Sequence, residues 1–326
     1  MANNRKRYAL NLAAVIIVFA VFRLLMSSGI LDAYYEGILI MVGINIILAA
    51  SLNMTTGFLG ELTLGHAGFM AVGAYSSAIF TMNTNMGLPD TIILLISLVV
   101  GGIIAGIFGF IVGVPALRLR GDYLGIITLG FGEIIRVLLV NLEITGGALG
   151  LRGIMPYSTF TNIYWIMAVI VMIIFSLMNS RHGRSIISIR ENEIASEAVG
   201  INTSFYKIFT FVLSAFFAGV AGGLFAHYMT VLDPKKFNFM FSIEILVMVV
   251  LGGMGSITGS IIAAIILTFL PELLREFSDY RLLIYSLVLL LMMLFRPKGL
   301  LGTKEFSLFG RRSKEDVKTS GLGGEE

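Results

Sequence analysis

Cysteine is absent from the 326 residues, and charged residues are scarce. Without cysteine, the chain forms no disulfide bond and no thiolate metal site. Charged residues make up only 13% of the chain and hydrophobic residues 57%, whereas soluble domains have roughly 25% charged residues. This composition excludes an ordinary soluble domain and indicates an integral membrane protein.

The sequence also lacks the motifs of several functional classes. It contains no G-x-x-x-x-G-K-[ST], so it does not bind ATP through a P-loop, and neither H-E-x-x-H nor G-x-S-x-G occurs. The histidines His66, His182 and His227 lie too far apart in the sequence for metal-ligand spacing. No basic face with interleaved aromatic residues indicates nucleic-acid binding. We therefore expect a protein that is not an enzyme and that has no metal, cofactor or nucleic-acid partner.

Apolar segments of membrane-spanning length alternate with short polar connections. A helix needs about 20 apolar residues to cross a bilayer. The pattern predicts an all-α integral membrane protein, a polytopic bundle of about 8–10 membrane segments with broken or re-entrant helices, within residues 1–302. The predicted segments are residues 8–25, 37–52, a span that ends near 82, 91–117, 120–140, 163–178, 208–228, a broken pair at 243–251 and 257–270, and 281–295.

Basic residues set the predicted orientation. Arg5–Arg7 precedes the first span, and residues 296–298 (Arg-Pro-Lys) follow the last. Because lysine and arginine are enriched on the cytoplasmic side, both termini are predicted to be cytoplasmic, with an uncleaved first span. Residues 303–326 are charged and poor in apolar side chains, which predicts a mobile cytoplasmic tail. Near the outer ends of two spans, Trp165 and His227 are expected to be interfacial side chains.

Two glycine-rich breaks interrupt the apolar segments. Thr55 to Tyr75 contains five glycines together with Glu61 and His66, and Gly252 to Ser256 splits a second apolar run. Non-helical backbone at membrane depth is tolerated only where it is buried in protein or faces a water-filled cavity. The first stretch is therefore predicted to be an irregular start of the third span, which either lines a pathway or lets helices pack closely. Interrupted segments in both halves also predict an internal repeat around a central site.

Polar side chains inside the spans are candidates for a translocation pathway, because ionisable groups are costly in lipid and usually face the interior of a bundle. Glu133 and Arg136 are three residues apart and are expected to pair, either for function or as a structural ion pair. Helix ends freed by the two breaks offer backbone N–H groups to a carboxylate. The candidate set is Asn45, Asn53, Thr63, His66, Glu133, Arg136, Gly252, Gly253 and Ser256.

The most polar internal segment is the polar loop, Arg181 to Lys207, which a hydrocarbon core does not accommodate. Residues 187–200 are predicted to form a short helix with an apolar stripe of Ile194, Ala198 and Ile201, ended by the glycine at its last position. Such a helix lies on lipid or docks in a groove of a partner, and the mixed charge of the loop favours a partner. A chain with the shape of a transporter and no energy source of its own indicates an external motor.

Five stretches together carry a family resemblance: Arg118 to Arg136, Thr145 to Ile154, Arg190 to Asn202, Ser214 to Ala226 and Leu251 to Gly259. They resemble the permease subunits of ABC importers for branched-chain amino acids, specifically the M-type subunit. The resemblance implies a heterodimer with a second, related permease, two cytoplasmic ATP-binding subunits and an extracytoplasmic substrate-binding protein. It also implies transport across the cell membrane by alternating access.

The polar loop resembles the loop that ABC permeases insert into their ATPases. The family pattern is Glu-Ala-Ala, three further residues and Gly. With Gly200 as the glycine, the first three places read Ile194-Ala195-Ser196, so only Ala195 matches. The resemblance implies that the residues coupled to the ATPase are Arg190, Glu193, Ala195, Glu197, Ala198 and Gly200.

Two alternative functions remain open at this point. A related permease would carry urea or short amides by the same architecture. A stand-alone secondary carrier or channel would use the polar loop only as a connection, and it would transport when reconstituted alone. A membrane enzyme is disfavoured, because the sequence contains no nucleophile–base or metal-ligand constellation.

Overall fold

The computed structural model describes residues 2–29, 31–84, 87–119, 121–274, 286, 287, 290, 294 and 299–302, with the side chains of residues 2–12 and 14 excepted. The predicted tail, 303–326, and most of the predicted last span, 281–295, lie outside the described residues. Helices account for most of the described chain, which confirms the all-α membrane fold predicted from the apolar segments.

Residues 2–274 of the described chain form eleven α-helices. Five are long and apolar enough to cross a membrane, and Val15–Ser27 within the first helix and the last two helices are shorter apolar segments. The helices are α1 (Ala2–Ser27), α2 (Ala33–Asn53), α3 (His66–Asn83), α4 (Asp90–Ala116), α5 (Asp122–Asn141), α6 (Phe160–Met178), α7 (Arg181–Glu191), α8 (Glu193–Ala198), α9 (Thr203–Met229), α10 (Phe239–Gly252) and α11 (Ile257–Leu273).

Helices α2 and α3 occupy the centre of the bundle. Every residue from Val42 to Leu59 and from Gly65 to Tyr75 is buried. A helix that is apolar all round is typical of such a position. Helices α4, α5 and α6 instead present apolar side chains to the outside, as the lipid-facing wall of a membrane bundle does. Examples of these exposed side chains are Val99, Ile103, Phe110, Ile126, Ile134, Val169 and Met172.

Small residues bring α3, α4 and α9 into close contact. A methyl group on Gly73 would lie 2.2 Å from the Cα atom of Gly219, and one on Gly101 would lie 2.7 Å from the carbonyl oxygen of Gly73. Without a hydrophobic driving force between helices in lipid, such close backbone approach supplies much of the packing energy. The glycine spacings Gly102-x-x-x-Gly106 and Gly219-x-x-x-Gly223 therefore serve packing in this bundle.

His227 occupies the interior instead of the membrane interface, so the interfacial prediction is wrong. Its Nε2 atom lies 3.2 Å from Ser77 Oγ and 3.4 Å from Ser97 Oγ, and its Nδ1 atom lies 3.0 Å from the carbonyl oxygen of Met155. Hydroxyl groups from α3 and α4 and the connection after α5 supply the polar partners that an imidazole needs in a buried position. Trp165, by contrast, stays exposed beside Phe19 of α1.

A two-stranded antiparallel ladder joins the connections that follow α5 and α9. Strand β1 (Leu151–Arg152) pairs with β2 (Val231–Leu232). Tyr75 in α3 donates a hydrogen bond to the carbonyl oxygen of Leu232 at 3.1 Å. A strand of two residues gives no periodic signal in a sequence, so the sequence pattern did not predict this ladder.

The first predicted break is confirmed, although it is shorter than the glycine pattern indicates. Helix α2 continues as a π-helical turn, Met54–Leu59, and Gly60 with φ +84° reverses the chain. Residues 60–65 are irregular, and α3 begins at His66, whose Nε2 atom lies 2.9 Å from Ser51 Oγ. Because Ser51 precedes Leu59 by about two helical turns, α3 starts roughly 12 Å inside the end of the extended α2.

The second predicted break is also confirmed. Helix α10 has 14 residues, which corresponds to about 21 Å and is too short to cross a bilayer. Gly253 and Gly255 have φ values of +111° and +90°, and they turn the chain into α11. Asn238 and Ser256 cap the starts of α10 and α11 through their side-chain oxygens.

Replacement of Gly73 by alanine tests the packing of α3 on α9. The added methyl group meets the Gly219 backbone, so we expect a free energy of unfolding that is lower by about 1–3 kcal/mol. Gly130→Ala is the matched control, because no atom lies within 4 Å of the added methyl group. Thermal unfolding of the purified protein in detergent measures both, and equal melting temperatures for the two variants would contradict the packing.

Candidate functional site

The polar loop folds as two short helices instead of the single helix predicted over residues 187–200. Asn192 separates them: it ends α7, and its Oδ1 atom accepts a hydrogen bond from Ala195 N at 2.9 Å to cap α8. Ser180 caps α7 in the same way, by accepting from Gly183 N at 3.3 Å. The single-helix prediction is wrong because an asparagine side chain competes for backbone N–H groups and favours a helix start.

The glycine predicted to end the helix does so. Gly200 has φ +88°, a conformation that L side chains rarely adopt. Its N–H donates to the carbonyl oxygen of Glu197 at 2.9 Å, and the N–H of Ile201 donates to that of Ser196 at 3.0 Å. This pair of hydrogen bonds is the Schellman motif, which fixes where α8 stops and where the chain turns toward α9.

Helix α8 presents apolar side chains to the outside of the chain. Ile194 is 74% exposed and Val199 is 78% exposed, and Ala195 and Ala198 between them are exposed as well. Ile201, predicted to extend the stripe, is half-buried. Contiguous exposed apolar residues on a polar connection are typical of an interaction site.

The two helix breaks meet through Asn53. The Nδ2 group of Asn53 donates to the carbonyl oxygen of Ser256 and to Ser260 Oγ, both at 2.9 Å, and its Oδ1 atom accepts from Gly255 N at 2.9 Å. The amide is fully buried, so these three bonds satisfy groups that have no access to water. Asn53, a predicted pathway residue, therefore fastens the end of α2 to the turn between α10 and α11.

Arg190 of the polar loop reaches both breaks. Its Nη1 group donates to the carbonyl oxygen of Gly57 at 2.5 Å. Its aliphatic stem covers Gly60, and a methyl group on Gly255 would lie 2.9 Å from Nη1. The last turn of α7 is thereby bound to the π-helical turn that precedes the first break, and the Arg190 guanidinium lies close to the second.

Lys207 makes a second link between the polar loop and the first break. Its Nζ atom lies 2.8 Å from Glu61 Oε1 and 2.8 Å from Glu193 Oε1. The Lys207 side chain is 7% exposed, so this cation is almost fully removed from solvent. We call the residues Asn53, Gly57, Glu61, Arg190, Glu193, Lys207 and Gly255 the junction.

Two other predicted pathway residues make contacts within the bundle. Asn45 Nδ2 donates to Thr268 Oγ1 at 2.9 Å and so connects α2 with α11. Within the described residues, the Oδ1 atom of Asn45 is buried without a hydrogen-bond partner. Thr63 Oγ1 lies 3.4 Å from Thr55 Oγ1 across the first break.

Glu133 and Arg136 form the expected ion pair, with 2.7 Å between Arg136 Nε and Glu133 Oε2. The other carboxylate oxygen of Glu133 accepts from Phe239 N at 3.0 Å. A negative charge at the start of a helix is favoured by the helix dipole and by the unpaired N–H groups there. The pair therefore fixes α5 against the first residue of α10.

The N–H groups at the breaks are engaged within the chain. Ala67 N donates to Ser242 Oγ at 3.0 Å, which joins the start of α3 to α10. Gly259 N donates to Ser256 Oγ at 3.1 Å. Gly253 N donates to the carbonyl oxygen of Val249 at 3.0 Å. These three donors are therefore satisfied within the chain.

Sequence reasoning missed Glu244, a carboxylate in the otherwise apolar helix α10. Glu244 is exposed, whereas Ser242, Ile245 and Met248 are buried against the bundle. Within the described residues, no hydrogen bond or ion pair engages its carboxylate. Ionisable groups within membrane segments are costly in lipid, so Glu244 is a candidate functional residue. The signal available in the sequence was a single acid within an apolar run.

Comparison with known proteins identifies a family. Residues 34–296, well over half of the chain, match the family described as branched-chain amino acid transport system / permease component. No solved structure matches significantly.

The chain resembles curated relatives over most of its length. It is 36% identical over 325 residues to the high-affinity branched-chain amino acid transport system permease protein LivM of Escherichia coli (strain K12), covering 89% of this chain and 74% of that protein. LivM of Salmonella typhimurium (strain LT2) matches with the same identity and coverage. The permease protein LivH of Escherichia coli (strain K12) is 26% identical over 282 residues, with 79% of this chain and 91% of that protein covered. On these matches, the chain is a multi-pass membrane protein that belongs to the family of permease components of branched-chain amino acid transport systems.

Proposed function

We propose that the chain is one of two permease subunits of an ATP-driven importer of branched-chain amino acids. Separate subunits bound at α8 hydrolyse the ATP, because this sequence contains no P-loop. Its similarity to relatives named LivM and LivH, both permease proteins of a high-affinity branched-chain amino acid transport system, supports a second and related permease as its partner.

The observation that carries this proposal is the polar loop. Its helix α8 exposes apolar side chains outward, while Arg190 and Lys207 bind the same loop inward to the helix breaks. A surface that is free on one side and fixed to the transport domain on the other suits a site where a motor subunit docks. The basic residues of the loop and of the N-terminus support a cytoplasmic position for this end of the bundle.

The cargo pathway runs along the exposed face of α10 that carries Glu244, between this permease and its partner. A zwitterionic amino acid with an apolar side chain needs a mostly apolar cavity with a few polar groups. Glu244 and the nearby Glu133–Arg136 pair supply charge, and the adjacent side chains of α10 are apolar. ATP-driven docking at α8 shifts the balance between outward and inward access by contacting the two states differently.

The opposite end of the bundle receives the substrate-binding protein. The β1–β2 ladder stiffens the connections after α5 and α9 at that end. Leu149, on the connection after α5, is 82% exposed. A rigid connection that exposes a large apolar side chain suits a docking surface for a soluble partner.

Reconstitution of the complex tests the function. Proteoliposomes with both permeases, the ATP-binding subunits and the binding protein are expected to accumulate leucine, isoleucine and valine only when ATP is supplied. Radiolabelled uptake measures the result, with urea as the second cargo. Uptake by this chain alone would instead establish a carrier, and accumulation of urea without leucine would establish an amide permease.

Ile194→Asp tests the docking of the ATP-binding subunits at α8. The side chain is exposed, so we expect normal folding and loss of ATPase association in co-purification, together with loss of uptake, because the charge enters an apolar contact. Leu149→Asp is the matched control for co-purification only: Leu149 is also highly exposed but lies at the opposite end of the bundle, so this variant is expected to retain the ATPase. Retention of the ATPase by the Ile194 variant would refute docking at this helix.

Single cysteines in this cysteine-free chain test the pathway. A cysteine at Glu244 in the assembled complex is expected to react with a membrane-impermeant maleimide, because the surrounding face is hydrated. Val99→Cys, exposed on the lipid-facing side of α4, and Met70→Cys, fully buried in α3, are expected to remain unlabelled. Mass spectrometry measures the labelled fraction, and equal labelling at Val99 and Glu244 would exclude a separate aqueous path along α10.

A further inference from the structure

We infer that the ion triad Glu61–Lys207–Glu193 transmits the displacement of α8 to the start of α3, and that it sets how tightly transport is coupled to ATP hydrolysis. The inference rests on the proposed function. It assigns the coupling to residues that lie behind the docking surface and that do not touch the motor themselves.

Three separate parts of the chain contribute one group each to the triad. Glu193 is the first residue of α8, Lys207 lies in the second turn of α9, and Glu61 lies in the irregular segment 60–65. The two carboxylates are each 2.8 Å from the ammonium group, and their side chains are 14% and 28% exposed for Glu61 and Glu193. One buried cation thus connects the loop helix, a membrane helix and the first break.

The triad links α8 to residues 60–65 through Lys207 of α9. Three side-chain hydrogen bonds of α8 are local: Asn192 accepts from Ala195 N, Ser196 donates to the Asn192 carbonyl oxygen, and Thr203 donates to Glu197. Of these bonds, the one from Thr203 joins α8 to the first residue of α9, and none of the three reaches residues 60–65. Displacement of α8 therefore reaches residues 60–65 through Glu193 and Lys207.

Low exposure makes this link stiff. Charges that have left water interact strongly, and separation of one partner leaves an unpaired buried charge at high cost. When α8 moves, moving Lys207 and Glu61 with it is therefore favoured over breaking the contacts. Arg190, bound to the Gly57 carbonyl oxygen, holds the other side of the same short segment.

Residues 60–65 lead directly to the groups that position α3 and α10. Leu64 N donates to Thr128 Oγ1 of α5 at 3.0 Å, and Ala67 N donates to Ser242 Oγ of α10 at 3.0 Å. A shift of Glu61 thus acts on one hydrogen bond that joins the irregular segment to α5 and on one that joins the start of α3 to α10. Helix α10 carries Glu244 on its exposed face, so the path from α8 ends beside the proposed cargo pathway.

The decisive variant is the triple replacement Glu61→Gln, Lys207→Met and Glu193→Gln in the complete reconstituted complex. Removal of all three charges avoids leaving one triad ion unpaired by its triad partners, so the protein is expected to fold and to retain its ATPase partners. Uptake per ATP hydrolysed is expected to fall about tenfold, a usual size for coupling between sites. ATP hydrolysis itself is expected to continue. Lys207→Arg, which keeps the cation, should retain most of the coupling in the otherwise wild-type complex.

Glu191→Gln is the matched control, because Glu191 is an exposed acid of the same loop outside the triad. It should keep the wild-type ratio of uptake to hydrolysis. Wild-type coupling in the triple variant, or an equal loss in the Glu191 variant, would overturn the role of the triad. Those results leave the proposed function standing, whereas absence of ATP-dependent uptake in the wild-type complex would refute the proposed function instead.

Discussion

Backbone that leaves a helix inside a bilayer must find its hydrogen-bond partners within the protein, and the rest of this structure depends on that requirement. The break after α2 and the break after α10 satisfy it jointly, because the Asn53 amide bonds the second turn while Arg190 bonds the first. The starts of α3 and α10 are then fixed by Ser242 and Glu133. The two breaks thus form one shared polar site. The contacts of this site determine the positions of the central helices.

The features that depend on local composition were predicted from the sequence. Apolar length placed α9 at residues 208–228, against Thr203–Met229 in the structure, and glycine content located both breaks. Features that depend on a residue far away in the chain could not be predicted from the sequence. Lys207 and Glu61 looked like separate polar residues, and His227 looked interfacial because the hydroxyls that surround it come from other helices. The helix start at Asn192 was missed because, within a polar loop, the sequence pattern of a helix cap is similar to that of an interior helix position.

The architecture separates rigid parts from the parts that connect them. Helices α3, α4 and α9 approach so closely at Gly73, Gly101 and Gly219 that little relative motion is available to them. The irregular segment 60–65 and the turn between α10 and α11 lie between regular helices, and polar contacts join them to other parts of the chain. Movement during transport is therefore expected to pass through these polar contacts, with the tightly packed helices moving as units.

The bond between Ala67 and Ser242 also has a consequence for biosynthesis, because its two groups are 175 residues apart in the chain. At about 5–20 residues per second, a ribosome needs about 10–35 seconds to make the second partner after the first. During that interval α3 is already synthesised, yet its first turn lacks the hydroxyl that completes it. The early part of the chain therefore stays incompletely folded until α10 has been synthesised.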